Sequence, residues 1–149
     1  MRTPLYLDDI TVGQRFVTDA VTLDEAAIKS FARAFDPQPF HIDNEAARHS
    51  FFAGLAASGW HTAAITMKLQ VESGPPLAGG MIGAGGELTW PRPVRPGDVL
   101  HVESEVLAVK PSRSKPDRGF ITLKSQTINQ KGEAVQVMTV QLLVWKRPL

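Results

Sequence analysis

The sequence predicts an α+β domain in which an antiparallel sheet wraps around one long central helix. Three observations carry that expectation. A helical pattern occupies the N-terminal third, a second long helix is bracketed by Ser58-Gly59 and Ser73-Gly74-Pro75-Pro76, and from Met81 onward the pattern turns to strands separated by turn residues. Helices first and strands after give a segregated arrangement, whereas strict alternation would give a parallel sheet. At 149 residues with 43% hydrophobic composition, a single domain spanning 1–149 has enough apolar surface for a core of its own.

Taken in order, Gly13 to Val21 reads as a short strand around Phe16, Val17 and Val21. Thr22-Leu23-Asp24-Glu25 matches a capping box, so a helix is expected over 22–35, with Ile28, Phe31, Ala32 and Phe35 as its core stripe. Asp36 ends it, because Pro37 disfavours helical backbone in the residue before it. Two prolines within Asp36-Pro37-Gln38-Pro39-Phe40-His41 predict a stiff, largely extended loop. Asp43 or Asn44 then caps a short helix through Arg48. The helix from Ser58-Gly59 to about Glu72 carries Trp60, Ala63, Ala64, Ile65, Met67, Leu69 and Val71, which places it inside the fold. Strands are expected at Gly85–Trp90, Val99–Val109, Phe120–Ile128 and Val135–Trp145, joined as an antiparallel meander. Both alternating sets of the last strand are apolar, so it is central or covered on both faces.

Composition removes several function classes. Sixteen Lys and Arg against fifteen Asp and Glu give a net charge of +1, too little to hold nucleic acid or an anionic membrane. Without cysteine there are no disulfides, thiolate nucleophiles or Cys-based metal sites. The N-terminus meets Asp8 and Asp9 before any apolar run, so no secretion signal is expected and the location is read as cytoplasmic. No window approaches the ~20 apolar residues of a membrane span. His41-x-Asp43 lacks a third ligand at a persuasive spacing, so no metal is expected.

Chemistry is expected at Asp36 and His41. A carboxylate and an imidazole on one stiff loop can share a water and pass protons at neutral pH. From spacing alone the same residues more readily suit a helix terminator and an imidazole packed on Phe40. Proton abstraction by Asp36 asks for a pKa above the ordinary ~3.9, or close cooperation with the imidazole, and burial against Phe35, Phe40 and Trp60 is the expected source of a rise. His61 is expected as a partly buried side chain bonded to backbone, and His49 and His101 as surface or strand residues. The basic residues Lys110, Arg113, Lys115 and Arg118 read as a solvated hairpin, and with Arg92 and Arg95 they form the pool of cations suited to phosphate.

Asp36-Pro37-Gln38-Pro39-Phe40-His41, the segment Phe52 to Thr62 with its Gly59, and Trp90-Pro91-Arg92-Pro93-Val94-Arg95-Pro96-Gly97-Asp98 together resemble the MaoC-like (R)-specific enoyl-CoA hydratase family. The aspartate, second proline and histidine of the family motif fall at Asp36, Pro39 and His41, and the glycine before the central helix at Gly59. Phe35 stands where the family often has glycine, Gln38 where it has asparagine, and Ser58 where it commonly has histidine.

The resemblance implies a hotdog fold, a homodimer or higher homo-oligomer, and an acyl-CoA hydratase/dehydratase, a hydro-lyase acting on a 2-enoyl-CoA with no cofactor beyond the thioester substrate. Asp36, His41 and Gly59 are the implied catalytic residues: the pair holds the water, and the Gly59 N–H donates to the thioester oxygen. Gln38, Phe40, Ser58 and Trp60 are the expected substrate contacts. Two other functions suit the same fold. An acyl-CoA thioesterase would place an acid on the central helix, where Glu72 stands at the far end, and the third reading is a non-catalytic acyl-binding subunit.

Overall fold

The computed structural model describes residues 2–149. A 3-10 turn at Leu7–Asp9 precedes strands β1 (Arg15–Val17) and β2 (Val21–Leu23), followed by helices α1 (Glu25–Phe35), α2 (Pro39–Ile42), α3 (Asn44–Arg48) and α4 (Gly59–Ser73). Strands β3 (Ile82–Thr89), β4 (Asp98–Pro111), β5 (Arg118–Ile128) and β6 (Ala134–Trp145) complete the chain. The antiparallel sheet runs β1-β4-β5-β6-β3, with β2 pairing the start of β4. The expected meander is β4–β5–β6, and β6 is central, flanked by β5 and β3. β3 precedes β4 in sequence but lies at the far edge, with β5 and β6 between them, so its connection to β4 crosses the end of the sheet.

Two local expectations are corrected. The first helix starts at Glu25, three residues later than the capping-box reading, because Asp24 accepts from Ala27 N–H at 2.8 Å and is the N-cap. Val21, Thr22 and Leu23 are drawn into the sheet instead, opposite Leu100, Val99 and Asp98. The proline-rich stretch is not extended throughout: Pro39 to Ile42 form one helical turn. Pro39 sits at the first helical position, where its missing N–H costs nothing and its fixed φ suits a helix. That turn brings His41 back toward the end of α1.

Helix α1 buries Ile28 and Ala32 completely, while Phe35 is 75% exposed and adds nothing to the core. Helix α4 inverts the expected pattern. Its buried positions are His61, Thr62, Thr66, Leu69 and Gln70, and Trp60, Met67 and Val71 face outward. The Thr66 hydroxyl and the Gln70 amide nitrogen have partners on the sheet, whereas Gln70 Oε1 is buried without one. Thr66 Oγ1 lies 2.6 Å from Thr127 Oγ1 of β5 and accepts from Gln136 Nε2 of β6, and Gln70 Nε2 donates to Ser104 of β4 and Ser125 of β5, each at 2.8 Å. A buried polar group costs little when its hydrogen bonds are made, so this polar seam costs little apart from the unpartnered Gln70 Oε1. Apolar clusters flank it. One gathers Leu7, Ile10, Val106, Ile121, Leu123, Leu142 and Val144; the other gathers Leu23, Ile28, Leu55, Val94, Leu100 and Val135 beneath α1 to α3.

Candidate active site

Asp36 follows the last turn of α1, its N–H still bonded to Ala32 O at 2.8 Å. His41 is 4% exposed in α2. Its Nδ1 lies 2.6 Å from Ala56 O, and a carbonyl only accepts, so Nδ1 carries the hydrogen. Nε2 therefore points its other side at Asp36 Oδ2, 3.3 Å away. A hydrogen must lie between those two acceptor atoms, on the imidazole or in a bridging water.

Two of the three positions where the chain departs from the family motif, Gln38 and Ser58, serve this carboxylate. Gln38 Nε2 donates to Asp36 Oδ1 at 2.6 Å, and Ser58 Oγ donates to Asp36 Oδ2 at 2.7 Å. Ser58 is fully buried and also caps α4 by accepting from Trp60 N–H, so it reaches the carboxylate from beneath. Burial is the largest single influence on Asp36 and by itself pushes the pKa up. The Ser58 and Gln38 donors and the neighbouring imidazole together outweigh it and hold the group below its ordinary value. The expected rise is thus reversed. Phe35 and Trp60 are too exposed to dry the carboxylate, which leaves cooperation with His41 as the expected route to base chemistry.

Asp36, Gln38, Phe40, His41, Gly59 and Trp60 line one cleft of about 590 Å³, with Thr62 and the segment Trp90 to Val94 forming its other side. Gly59 opens α4, and its N–H meets no acceptor among the described residues. A free N–H at a helix start attracts negative charge. Glycine is required there for a second reason: a Cβ would sit 2.6–2.8 Å from three atoms of the Trp90 ring. The indole is pinned in turn, since Trp90 Nε1 donates to Oε1 of the fully buried Gln136 at 3.0 Å. Trp60 and Trp90 meet edge to face at 5.2 Å.

Other polar candidates lie elsewhere. His61 stacks on Phe31 at 4.5 Å with its Nδ1 buried and unpartnered, contrary to the expected backbone bond, and burial pushes its pKa down. Glu72 is exposed beside Lys68 at the far end of α4. Arg118 pairs with Asp117, Arg95 binds main-chain carbonyls, and Arg92 sits at the cleft rim beside Glu133. Three contributors escaped the sequence. Ala56 acts through a carbonyl, which no side-chain pattern reveals. Gln136 stands in a strand apolar on both faces. Trp90 was visible only as an aromatic of the motif.

A family profile described as MaoC like domain matches residues 9–128. The chain is 62% identical, with a TM-score of 0.96, to a MaoC-like dehydratase from Rhodospirillum rubrum, over 97% of this chain and 99% of that one. It is 41% identical to the uncharacterized protein YdeM of Bacillus subtilis, over 84% of this chain and 88% of that protein. The R-hydratase PhaJ1 of Pseudomonas aeruginosa shares 26% identity and a TM-score of 0.75, over 98% of this chain and 89% of that one. An antiparallel sheet with α4 packed against it is the hotdog arrangement of these structural neighbours, and the chain belongs to the MaoC-like dehydratase family.

Proposed function

We propose that this chain is an acyl-CoA hydratase/dehydratase, adding water reversibly across the 2,3 double bond of a 2-enoyl-CoA to give an (R)-3-hydroxyacyl-CoA. The observation that carries the reading is His41 Nε2 at 3.3 Å from the ionised Asp36, in the same cleft as the unpartnered Gly59 N–H. The R-hydratase relative supports the stereochemistry.

The thioester oxygen accepts from Gly59 N–H, and a water sits against Asp36 and His41. Asp36 takes a proton from the water as its oxygen bonds to C3, and the π electrons move through C2 onto the thioester oxygen. The Gly59 N–H and the α4 N-terminus stabilise that enolate, an effect on the order of 10²–10³ in rate for one such donor. His41 Nε2 then gives its proton to C2. The proton on Asp36 passes to His41 across the short gap and restores the pair, so each cycle adds one water and consumes nothing else. Elimination runs the same steps backward.

A thioesterase would drive water onto the carbonyl with an acid on α4. Glu72 stands thirteen residues from Gly59, roughly 20 Å along the helix, so it does not serve this cleft. The acyl-binding subunit is disfavoured because the Gln38 and Ser58 departures brace Asp36. Assembly as a homodimer or larger is supported by the outward Trp60, Met67 and Val71 and by the free edge of β3. Coenzyme A phosphates are assigned to Arg92, the guanidinium at the cleft rim.

The test is loss of enoyl-thioester absorbance on crotonyl-CoA and longer 2-enoyl-CoAs, with free thiol followed in parallel. Absorbance loss without thiol, abolished in His41→Ala, establishes hydration. Thiol release moves the chain to the thioesterases, and binding with neither signal makes it an acyl-binding subunit.

A further inference from the structure

We propose that Arg95 is a positioning residue that fixes which nitrogen of His41 carries the proton. The proposal takes Asp36 and His41 as the acid/base pair, but its test reads the imidazole itself.

The segment between α3 and α4 has no regular structure at 52–57, yet Leu55, Ala56 and Ala57 are buried and Ala53 adopts φ +54°, a left-handed conformation unfavourable for a residue with a Cβ. Such a loop keeps its shape only if something holds it. The Arg95 guanidinium does so: Nη1 donates to Gly54 O at 2.9 Å and to Leu55 O at 3.2 Å, and Nη2 donates to Phe52 O. No carboxylate lies within ion-pairing range of Arg95 among the described residues, so the planar fork is spent on main chain alone. Arg95 is anchored in turn, its own N–H bonded to Asp98 Oδ2 at 2.9 Å, while Asp98 Oδ1 accepts from Gln130.

The next carbonyl after the clamp is Ala56 O, the acceptor for His41 Nδ1. Ala56 N–H donates to Phe40 O at 3.2 Å and Ala57 N–H to Val94 O at 2.9 Å, so the clamped loop lies between α2 and the segment that carries Arg95. A ring nitrogen that finds a fixed acceptor keeps its hydrogen, and the other nitrogen is then free to exchange protons. Arg95 thus acts on the acid/base pair through three carbonyls and one more residue. Lysine keeps the charge but offers a single point and not a fork.

The experiment is long-range ¹H–¹⁵N correlation of the histidine rings in ¹⁵N-labelled full-length protein at alkaline pH, with His41 assigned from His41→Gln. The wild type is expected to show His41 as the Nδ1–H tautomer alone. Arg95→Met is expected to show a mixture of both tautomers, with Arg95→Lys between the two, and hydration kcat lower by about 10- to 100-fold with KM within about twofold. An Arg95→Met protein that melts normally and keeps the single tautomer overturns the proposal, since Arg95 is then only a loop brace. If Arg95→Met does not fold, Arg95→Lys is read the same way: a mixture supports the role and a single tautomer overturns it. A tautomer that responds to Arg95 in a protein inert toward enoyl thioesters keeps the positioning role and removes the hydratase reading.

Discussion

His41 and His61 are both buried, at 4% and 6% exposure, and their surroundings are opposite. His41 has an oxygen opposite each ring nitrogen, a carbonyl that keeps a hydrogen on Nδ1 and a carboxylate that can exchange one with Nε2. His61 lies flat on Phe31 at an interplanar angle of 4°, its Nδ1 facing no partner. Burial alone therefore does not mark a working imidazole. The ring proposed for proton transfer has two different, fixed partners, and the ring without them is charged only at a cost in stability.

The strongest way to break this contrast is on the carboxylate. Asp36→Asn is expected to keep the fold and lose at least ~100-fold in hydration rate, the usual scale for removing an acid/base group. Turnover close to wild type on crotonyl-CoA, with an unchanged circular dichroism spectrum, would remove Asp36 from the mechanism. Next in size is Gly59→Ala, which forces a Cβ into the Trp90 ring and is expected to cost about 1–3 kcal/mol in thermal unfolding. Adding Trp90→Leu to the same chain should recover part of that loss. Equal melting of the single and double variants would mean that the two residues do not compete for space.

Acid sharpens the contrast between the two histidines. The folded-state pKa of His61 lies below the ordinary 6.5, so the unfolded chain binds its proton first and stability falls as the pH drops from about 6.5. Above that value His61 has no effect. Asp36 contributes in a lower window: its folded pKa is depressed, so its stabilisation is present above about 3.8 and is lost as the pH falls through the folded value. His61→Leu should abolish the upper slope in urea unfolding measured across pH and leave the lower one. An unchanged slope assigns the upper window to another group. The smallest effect is expected for Gln38→Ala, whose exposed amide bond to Asp36 is worth about 0.5 kcal/mol and about a twofold change in rate. A tenfold loss would make Gln38 a direct substrate contact.

Much of this architecture was written in pattern. The strands after Met81 follow from alternation and turn residues, and the end of α1 follows from Pro37. The proposed acid/base pair was named from the family motif, which places both residues within six positions. What stayed hidden was decided by competition or by main chain. Thr22 lost its capping role because pairing with β4 claimed it and Asp24 made a good cap. Pro39 reads as extended in isolation, but it starts a turn when the next three residues close it. The apolar residues of α4 suggested a dry inner face, whereas the sheet beneath it offers Ser104, Ser125, Thr127 and Gln136, and the polar side of the helix turned inward to meet them. A helix read without its partner cannot reveal which side that partner will satisfy.

The three tryptophans are distributed in a useful way. Trp60 and Trp90 stand edge to face on the walls of the cleft, whereas Trp145, under the Arg118 guanidinium at 4.7 Å, belongs to the far end of β6. An occupant of the cleft changes the solvent around two of the three fluorophores and leaves the third as an internal reference. The protein therefore carries its own optical gauge of ligand occupancy, readable without label or turnover.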